Sequence, residues 1–257
     1  MLFTIDVGNT NIVLGIYDGD ELKFSYRMAT DRTRSSDEIG FFFLQLLANS
    51  GVSPDEIEDA VISSVVPPIM HSLENAVRKY FKKEPIIISS ATPLPMQIKI
   101  DNPRELGADR IVNAIAAYEL YGGPAVVIDF GTATTFCCID KNGDYLGGAI
   151  YPGLKISVDA LVERTAKLPR IEISKPDNVI GKNTVHSMQS GIVYGYAGMV
   201  DYIVNKMANE IGAKKINVIA TGGLSSLISK ESKTITHINR DLTLSGLKII
   251  YDKYLKA

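Results

Sequence analysis

The stretch IDVGNTN, residues 5–11, is nearly repeated as IDFGTAT, residues 128–134. In each copy an apolar run meets an Asp, then an apolar residue, a Gly, and a cluster of hydroxyl and amide side chains. The likeness continues outward. The first copy runs on as IVLGIYDGDELKFSYRMAT, two apolar runs flanking YDGDE, and Asp-Gly in that setting is a strong hairpin signal. The second copy runs on as TTFCCID, KNG and DYLGGAI, so the repeat covers strand, turn, strand, hairpin and third strand. An internal duplication follows naturally from this pattern.

After each meander the pattern changes to helices and buried strands. SSDEIGFFFLQLLANSG carries helix-opening residues and a closing Gly51. AVISSVV and PIIISS read as strands, and Pro67-Pro68 opens the helix IMHSLENAVRKYF between them. GADRIVNAIAAYELYGG reads as a helix closed by Gly122-Gly123, which marks the expected boundary between an N-terminal lobe, 1–121, and a C-terminal lobe, 122–257. In the second lobe LKISVDALVERTAKL, SMQSGIVYGYAGMVDYIVNKMANEIG and LSGLKIIYDKYLKA read as helices, and INVIATGG as a strand. The fold class is therefore α/β, as two related lobes facing a cleft.

Composition bounds the function. The chain has 257 residues, 46% hydrophobic and 22% charged, enough apolar residue for a folded core. A formal charge of −2 gives no reason to expect a general nucleic-acid or membrane-surface binder. No apolar run approaches the roughly 18 residues of a membrane span, and MLFTIDVGN reads as a strand rather than a secretory signal. Cys137 and Cys138 are adjacent and read as core residues of a reducing cytosol; His71, His186 and His237 lack the spacing of zinc ligands. Gly191, Gly195 and Gly198 recur at helical spacing and read as positions of close helix packing.

A strand that ends in Asp-x-Gly and turns tightly back can cradle an anion on its backbone amides. Gly8 and Gly131 permit positive φ and close approach, and Asn9, Thr10, Asn11, Thr132 and Thr134 add donors. For one copy, simple hairpin chemistry with the Asp capping its own turn explains as much; two copies heading duplicated meanders point to phosphate. Asp6 and Asp129 complicate this. Two carboxylates about 6 Å apart repel by about 3 kcal/mol at an effective dielectric of about 20, so a site that keeps both needs a cation, which a magnesium-bound polyphosphate supplies. Other nucleotide motifs are absent: GKNT at 181–184 lacks the first glycine of a Walker loop, and no strand leads into G-x-G-x-x-G.

The duplicated meander resembles the superfamily of acetate kinase, sugar kinases, heat-shock ATPases and actin, which implies a duplicated ribonuclease H-like (actin-like ATPase) fold. Within it DVGNTN at 6–11, NPRELGADRIVNA at 102–114, DFGTATTF at 129–136, GGAIYPG at 147–153, GKNT at 181–184 and TGG at 221–223 closely resemble type III pantothenate kinase. The resemblance implies phosphorylation of pantothenate by ATP, the first step towards coenzyme A, with magnesium and a monovalent cation, potassium or ammonium. It implies a cytoplasmic homodimer, for which the long apolar helix from Ser187 to Gly212 is the sequence's own weak support. It places Asp6, Val7, Gly8, Asn9, Thr10 and Asn11 in a first phosphate loop, Thr132 in a second, and Asp129 at the monovalent cation. Asp109 matches the family's catalytic carboxylate, where sequence alone leaves a helix-capping role equally open. Gly107, Ala108, Arg110 and Thr184 match the substrate site; Arg110 could instead form a structural ion pair, and Thr184 could be an ordinary helix cap. Glycines of TGG lie near the nucleotide in related proteins. One departure is Ile100, where the family often carries an aromatic substrate contact.

Two alternatives stand beside this reading. The first is a kinase for another small alcohol, such as a sugar, which the GADR segment disfavours. The second is a nucleotide-binding transcriptional accessory protein of the same fold, which would often have lost Asp109.

Overall fold

The computed structural model describes residues 1–256. Its strands form two five-stranded sheets. In the first, β1 (Leu2–Val7), β2 (Asn11–Asp18) and β3 (Glu21–Ala29) make an antiparallel meander, and β4 (Asp59–Ser64) and β5 (Ile86–Ile88) extend it in parallel, in the order β3-β2-β1-β4-β5. In the second, β6 (Ala125–Phe130), β7 (Ala133–Ile139) and β8 (Tyr145–Pro152) repeat the meander. There β9 (Asn217–Thr221) and β10 (His237–Ile238) add in parallel, giving β10-β9-β6-β7-β8. Strand for strand, the two sheets share one order and one pattern of directions, so the repeat seen in the sequence is a repeat of topology.

The helices are α1 (Ser36–Asn49), α2 (Pro67–Phe81), α3 (Ala108–Tyr121), α4 (Leu154–Arg164), α5 (Thr184–Glu210), α6 (Ser225–Ile228) and α7 (Leu242–Ile250). Local chemistry sets several of their ends. Ser35 and Glu38 form a reciprocal capping box before α1, which stops at Ser50 ahead of the left-handed Gly51. Proline at the first positions of α2 removes an amide that would have no helical partner.

The chain divides into two compact units. The first holds residues Met1–Pro95, Asp101–Ala116 and the chain from Thr243 onward; the second holds Met96–Ile100 and Ala117–Leu242. This differs from the single cut expected at Gly122–Gly123. The change comes within α3, and the C-terminal helix belongs with the N-terminal sheet. Packing gives the reason. On one face of the first sheet Phe3, Ile5, Ile12 and Leu14 join Ile39, Phe43 and Leu47 of α1 and Leu73 and Val77 of α2. Phe3 meets Phe43 and Phe81 edge-on at 5.1 and 5.2 Å. On the other face α7 lies close: a Cβ on Gly15 of β2 would come 3.1 Å from Leu244, and one on Gly246 would come 2.6 Å from Val112 of α3. Thr243 donates a 2.8 Å hydrogen bond to the buried side chain of Asn113 in α3. With both faces covered, β1 is buried almost throughout, and each fully buried Ile, Leu or Phe contributes about 1.5–3 kcal/mol.

In the second unit Val126, Ile128 and Phe130 of β6, with Phe136 and Cys138 of β7, pack on Leu154 and Val158 of α4 and on Ile192, Tyr196 and Val200 of α5. Cys137 and Cys138 are both free and buried, and burial pushes the Cys138 thiol up to about 11, as an inert core residue requires. Thr134 shares the face of Phe136 and Cys138 and is fully buried, so it is a core residue and not the exposed donor expected beside the second turn. Gly191, Gly195 and Gly198 also differ from expectation. A Cβ on any of them would meet nothing within 4 Å, so among the described residues they serve no helix contact.

Candidate functional site

Both Asp-x-Gly motifs end a first strand and turn into the second. In the first turn Gly8 N–H donates to Asn11 O at 3.0 Å; in the second, Gly131 N–H donates to Ala133 O at 3.1 Å. Neither glycine takes a positive φ, contrary to expectation. What each turn uses is the missing side chain, since a Cβ on Gly8 would come 3.1 Å from Asn11 O and one on Gly131 3.4 Å from Ala133 O. The first turn is braced by the residues after β3. Thr30 donates its amide to Thr10 O at 3.0 Å and its hydroxyl to Gly8 O at 2.6 Å, and Arg32 Nη2 reaches Asn9 Oδ1 at 3.3 Å. The carbonyls of Gly8, Thr10 and Asn11 thus already accept protein donors, which suits a turn that is to face an anion.

The two aspartates occupy equivalent registers. Asp6 lies across from Ser63 of β4, and Asp129 across from Thr221 of β9. Ser63 Oγ donates to Asp6 Oδ1 at 2.7 Å. Around Asp129 the space is set by glycine: Gly222, at φ +87°, would place a Cβ 2.6 Å from Asp129 Oδ1 and 2.7 Å from Phe130 O. No other residue type fits there, which gives the TGG segment a structural role beside Asp129.

The second turn has one more neighbour. Gly153 is the N-cap of α4, and a Cβ on it would lie 2.1 Å from Thr132 O and 2.7 Å from Gly131 O. The amino end of α4 therefore rests directly on the second turn. In the sequence Gly153 stands only within GGAIYPG, and its signal is a Gly after Pro152 and just before a helix.

Asp109 is the second residue of α3. Gly107 O accepts from Arg110 N at 3.1 Å and Ile111 N at 3.2 Å, so Gly107 opens the helix and Asp109 does not cap it from outside. Asp109 Oδ1 accepts from the Arg110 amide at 2.7 Å. Burial raises this carboxyl above the ordinary Asp range, against the opposing pull of the Arg110 amide and charge. A chain of contacts within the first unit links it to the first turn. Val65 N–H donates to Val7 O at 3.0 Å, Val65 Cγ1 would lie 3.2 Å from a Cβ on Gly107, and that Cβ would lie 2.5 Å from Asp109 Oδ1. The first unit thus holds Asp6 to Asn11 together with Gly107, Ala108, Asp109 and Arg110, and the second holds Asp129, Thr132 and Thr184. Thr184 is exposed and is the first residue of α5; the cap is Asn183, whose side chain accepts from His186 N at 2.8 Å.

The family model for type III pantothenate kinase matches residues 2–206. The chain belongs to that family. It is accordingly a small-molecule kinase that phosphorylates pantothenate, in coenzyme A biosynthesis. Solved structures agree on the actin-like ATPase fold. A Campylobacter jejuni protein described as a Baf family transcriptional activator matches with a TM-score of 0.63 at 18% identity over 98% of each chain. A Sinorhizobium meliloti protein described as a 2-dehydro-3-deoxygalactonokinase matches with a TM-score of 0.63 at 11% identity over 100% of each chain. Component A of (R)-2-hydroxyglutaryl-CoA dehydratase from Acidaminococcus fermentans matches with a TM-score of 0.55 at 14% identity, over 96% of this chain and 95% of that one. At these identities the likeness is one of fold alone. Among the described residues no helix is long and apolar enough to cross a membrane.

Proposed function

We propose that Asp109 is the general base that activates the pantothenate hydroxyl, and that the turns at Asp6–Asn11 and Asp129–Thr132 bind the phosphates of ATP. The observation that carries this reading is the Val7–Val65–Gly107–Asp109 chain of contacts, which ties the candidate base to the first turn. Asp109 takes the hydroxyl proton as the alkoxide oxygen bonds to the γ-phosphorus. The bond from that phosphorus to the bridging oxygen breaks, and ADP leaves with the electron pair. The raised affinity of Asp109 for its proton brings the base nearer to working pH. Arg110 pairs with the substrate carboxylate, Gly107 and Ala108 let the backbone come close, and Thr184 adds a hydroxyl contact.

Among the described residues no three His, Cys, Asp or Glu side chains converge as a metal cluster. Asp6, the carboxylate of the first turn, would hold magnesium, which takes one or two carboxylates and completes its shell with phosphate oxygens and water. Bound there, magnesium would supply positive charge against the phosphates. Asp129, against which Gly222 packs closely, would hold the monovalent cation. The protein acts in the cytoplasm as a homodimer, and the open glycine face of α5 is its seat. A sedimentation equilibrium run that gives the monomer mass would remove the dimer.

ADP release from purified protein with magnesium-ATP, with and without pantothenate, tests the whole. Turnover is expected to depend on pantothenate and to fall when sodium replaces potassium. Equal rates in both salts would count against the monovalent cation, and turnover on another alcohol would favour the sugar-kinase alternative.

A further inference from the structure

We propose that Arg32 binds the phosphoryl group that is transferred, which makes it a charge-stabilising residue of the reaction. The proposal rests on the reading of the first turn as a phosphate loop. Two arginines stand in TDRTRS, residues 30–35, and their surroundings differ. The hydroxyl and amide of Thr33 hold Asp31 below its ordinary range, the amide and hydroxyl of Ser35 do the same for Glu38, and the charge of Arg34 adds to both. Arg32 is exposed and forms no salt bridge among the described residues; its hydrogen bond goes to Asn9, in the phosphate turn itself.

The segment that carries Arg32 is anchored on both sides. Thr30 is tied twice to the first turn, and Asp31 accepts from the amide and hydroxyl of Thr33 at 2.9 and 2.6 Å. The backbone at Arg32 is therefore fixed against the turn while its guanidinium remains available, and little order has to be imposed when a ligand arrives. Charge supplies the need. The same unit brings the carboxylates of Asp6 and Asp109 towards a polyanion, and a planar guanidinium can pair with phosphate through two parallel hydrogen bonds. Arg32 meets this turn at Asn9, and Asp109 is linked to the strand that leads into it through Val65, so the guanidinium is assigned to the phosphoryl group that the base serves.

Arg32→Gln and Arg32→Lys are to be compared with wild type for kcat, for affinity towards ATP and ADP, and for Tm. Loss of one preorganised donor to developing charge typically lowers kcat by about 10²- to 10³-fold, and Arg32→Gln is expected to do so. It should weaken ATP binding more than ADP binding, leave Tm unchanged, and be only partly rescued by Arg32→Lys, which restores the charge without the fork. An unchanged kcat, or an equal loss of ATP and ADP affinity, would overturn the assignment to the transferred group. Gly8→Val, read in the same binding assay, separates the two levels. If it weakens ATP while Arg32→Gln does nothing, the arginine assignment alone fails; if it leaves ATP affinity unchanged, the phosphate-loop reading fails with it.

Discussion

Asp109→Asn is expected to lower turnover by about 10²- to 10⁴-fold, the usual contribution of a positioned base, while leaving the fold and ATP affinity intact. The amide keeps the shape of the carboxyl and can still accept from the Arg110 amide, a hydrogen bond of 2.7 Å in the wild type. What it cannot do is take a proton. The pH dependence follows from the direction of the shift. Because burial raises the Asp109 carboxyl above its ordinary range, wild-type kcat/KM should fall on the acid side at a higher pH than an unperturbed Asp would give, and Asp109→Asn should lack that limb. Stability moves the other way. A carboxyl with a raised folded value contributes stability that is fully present below its unfolded value, about 3.9, and that is lost as pH rises through the folded value. Wherever the folded wild type holds this group ionised, it does so at a cost that the neutral amide avoids. The Tm of Asp109→Asn at pH 7 should therefore equal or exceed that of wild type, with the gain vanishing in acid. Wild-type turnover in the variant would remove Asp109 as the base, and a large fall in Tm would make its role structural.

Much of this site could be read from the chain itself, because local chemistry controls it. The hairpin at YDGDE forms with Gly19 at φ +54°, the Ser35–Glu38 capping box opens α1, and Pro67 opens α2. Each is decided by residues within a few positions of one another. Parity explains one miss. In β7 the alternation that buries Phe136 and Cys138 also buries Thr134, so counting back by twos from the core puts its hydroxyl inside. At the start of α5, Asn183 and Thr184 are both cap-forming residue types, and the asparagine won because its side chain reaches the amide of His186, three residues on. The place of α7 needed the folded chain. Nothing local says that Leu244 will lie over Gly15, or that Gly246 will nest on Val112. Both contacts join segments far apart in sequence, and they move the last helix into the first unit.

Gly153→Ala is expected to weaken ATP binding by about 10- to 100-fold with the fold retained. The residue has φ −69° and ψ 158°, extended backbone that any amino acid adopts, so the substitution costs no backbone strain. Its cost is steric and is directed at one place. The new methyl carbon would lie 2.1 Å from Thr132 O and 2.7 Å from Gly131 O, well inside contact distance, and both atoms are backbone of the second turn. One side must move. Leu154 and Val158 fix α4 in the core of the second unit, so the helix is the less free partner. Just before the turn, Asp129 and Phe130 are themselves closely packed by Gly222. Overpacking of this kind costs about 1–3 kcal/mol, and if it is taken up by the turn it appears as about 10- to 100-fold in nucleotide affinity, each 1.4 kcal/mol being about tenfold. Displacing the turn from the amino end of α4 adds to the loss, since a helix N-terminus favours a nearby anion by about 0.3–1 kcal/mol. Titration of the variant with ATP, alongside its melting curve, decides where the strain goes. Weak binding with a Tm near wild type places it in the turn. Unchanged affinity with a lowered Tm would mean that α4 gives way instead, and that the second turn does not need its contact with Gly153 to hold phosphate.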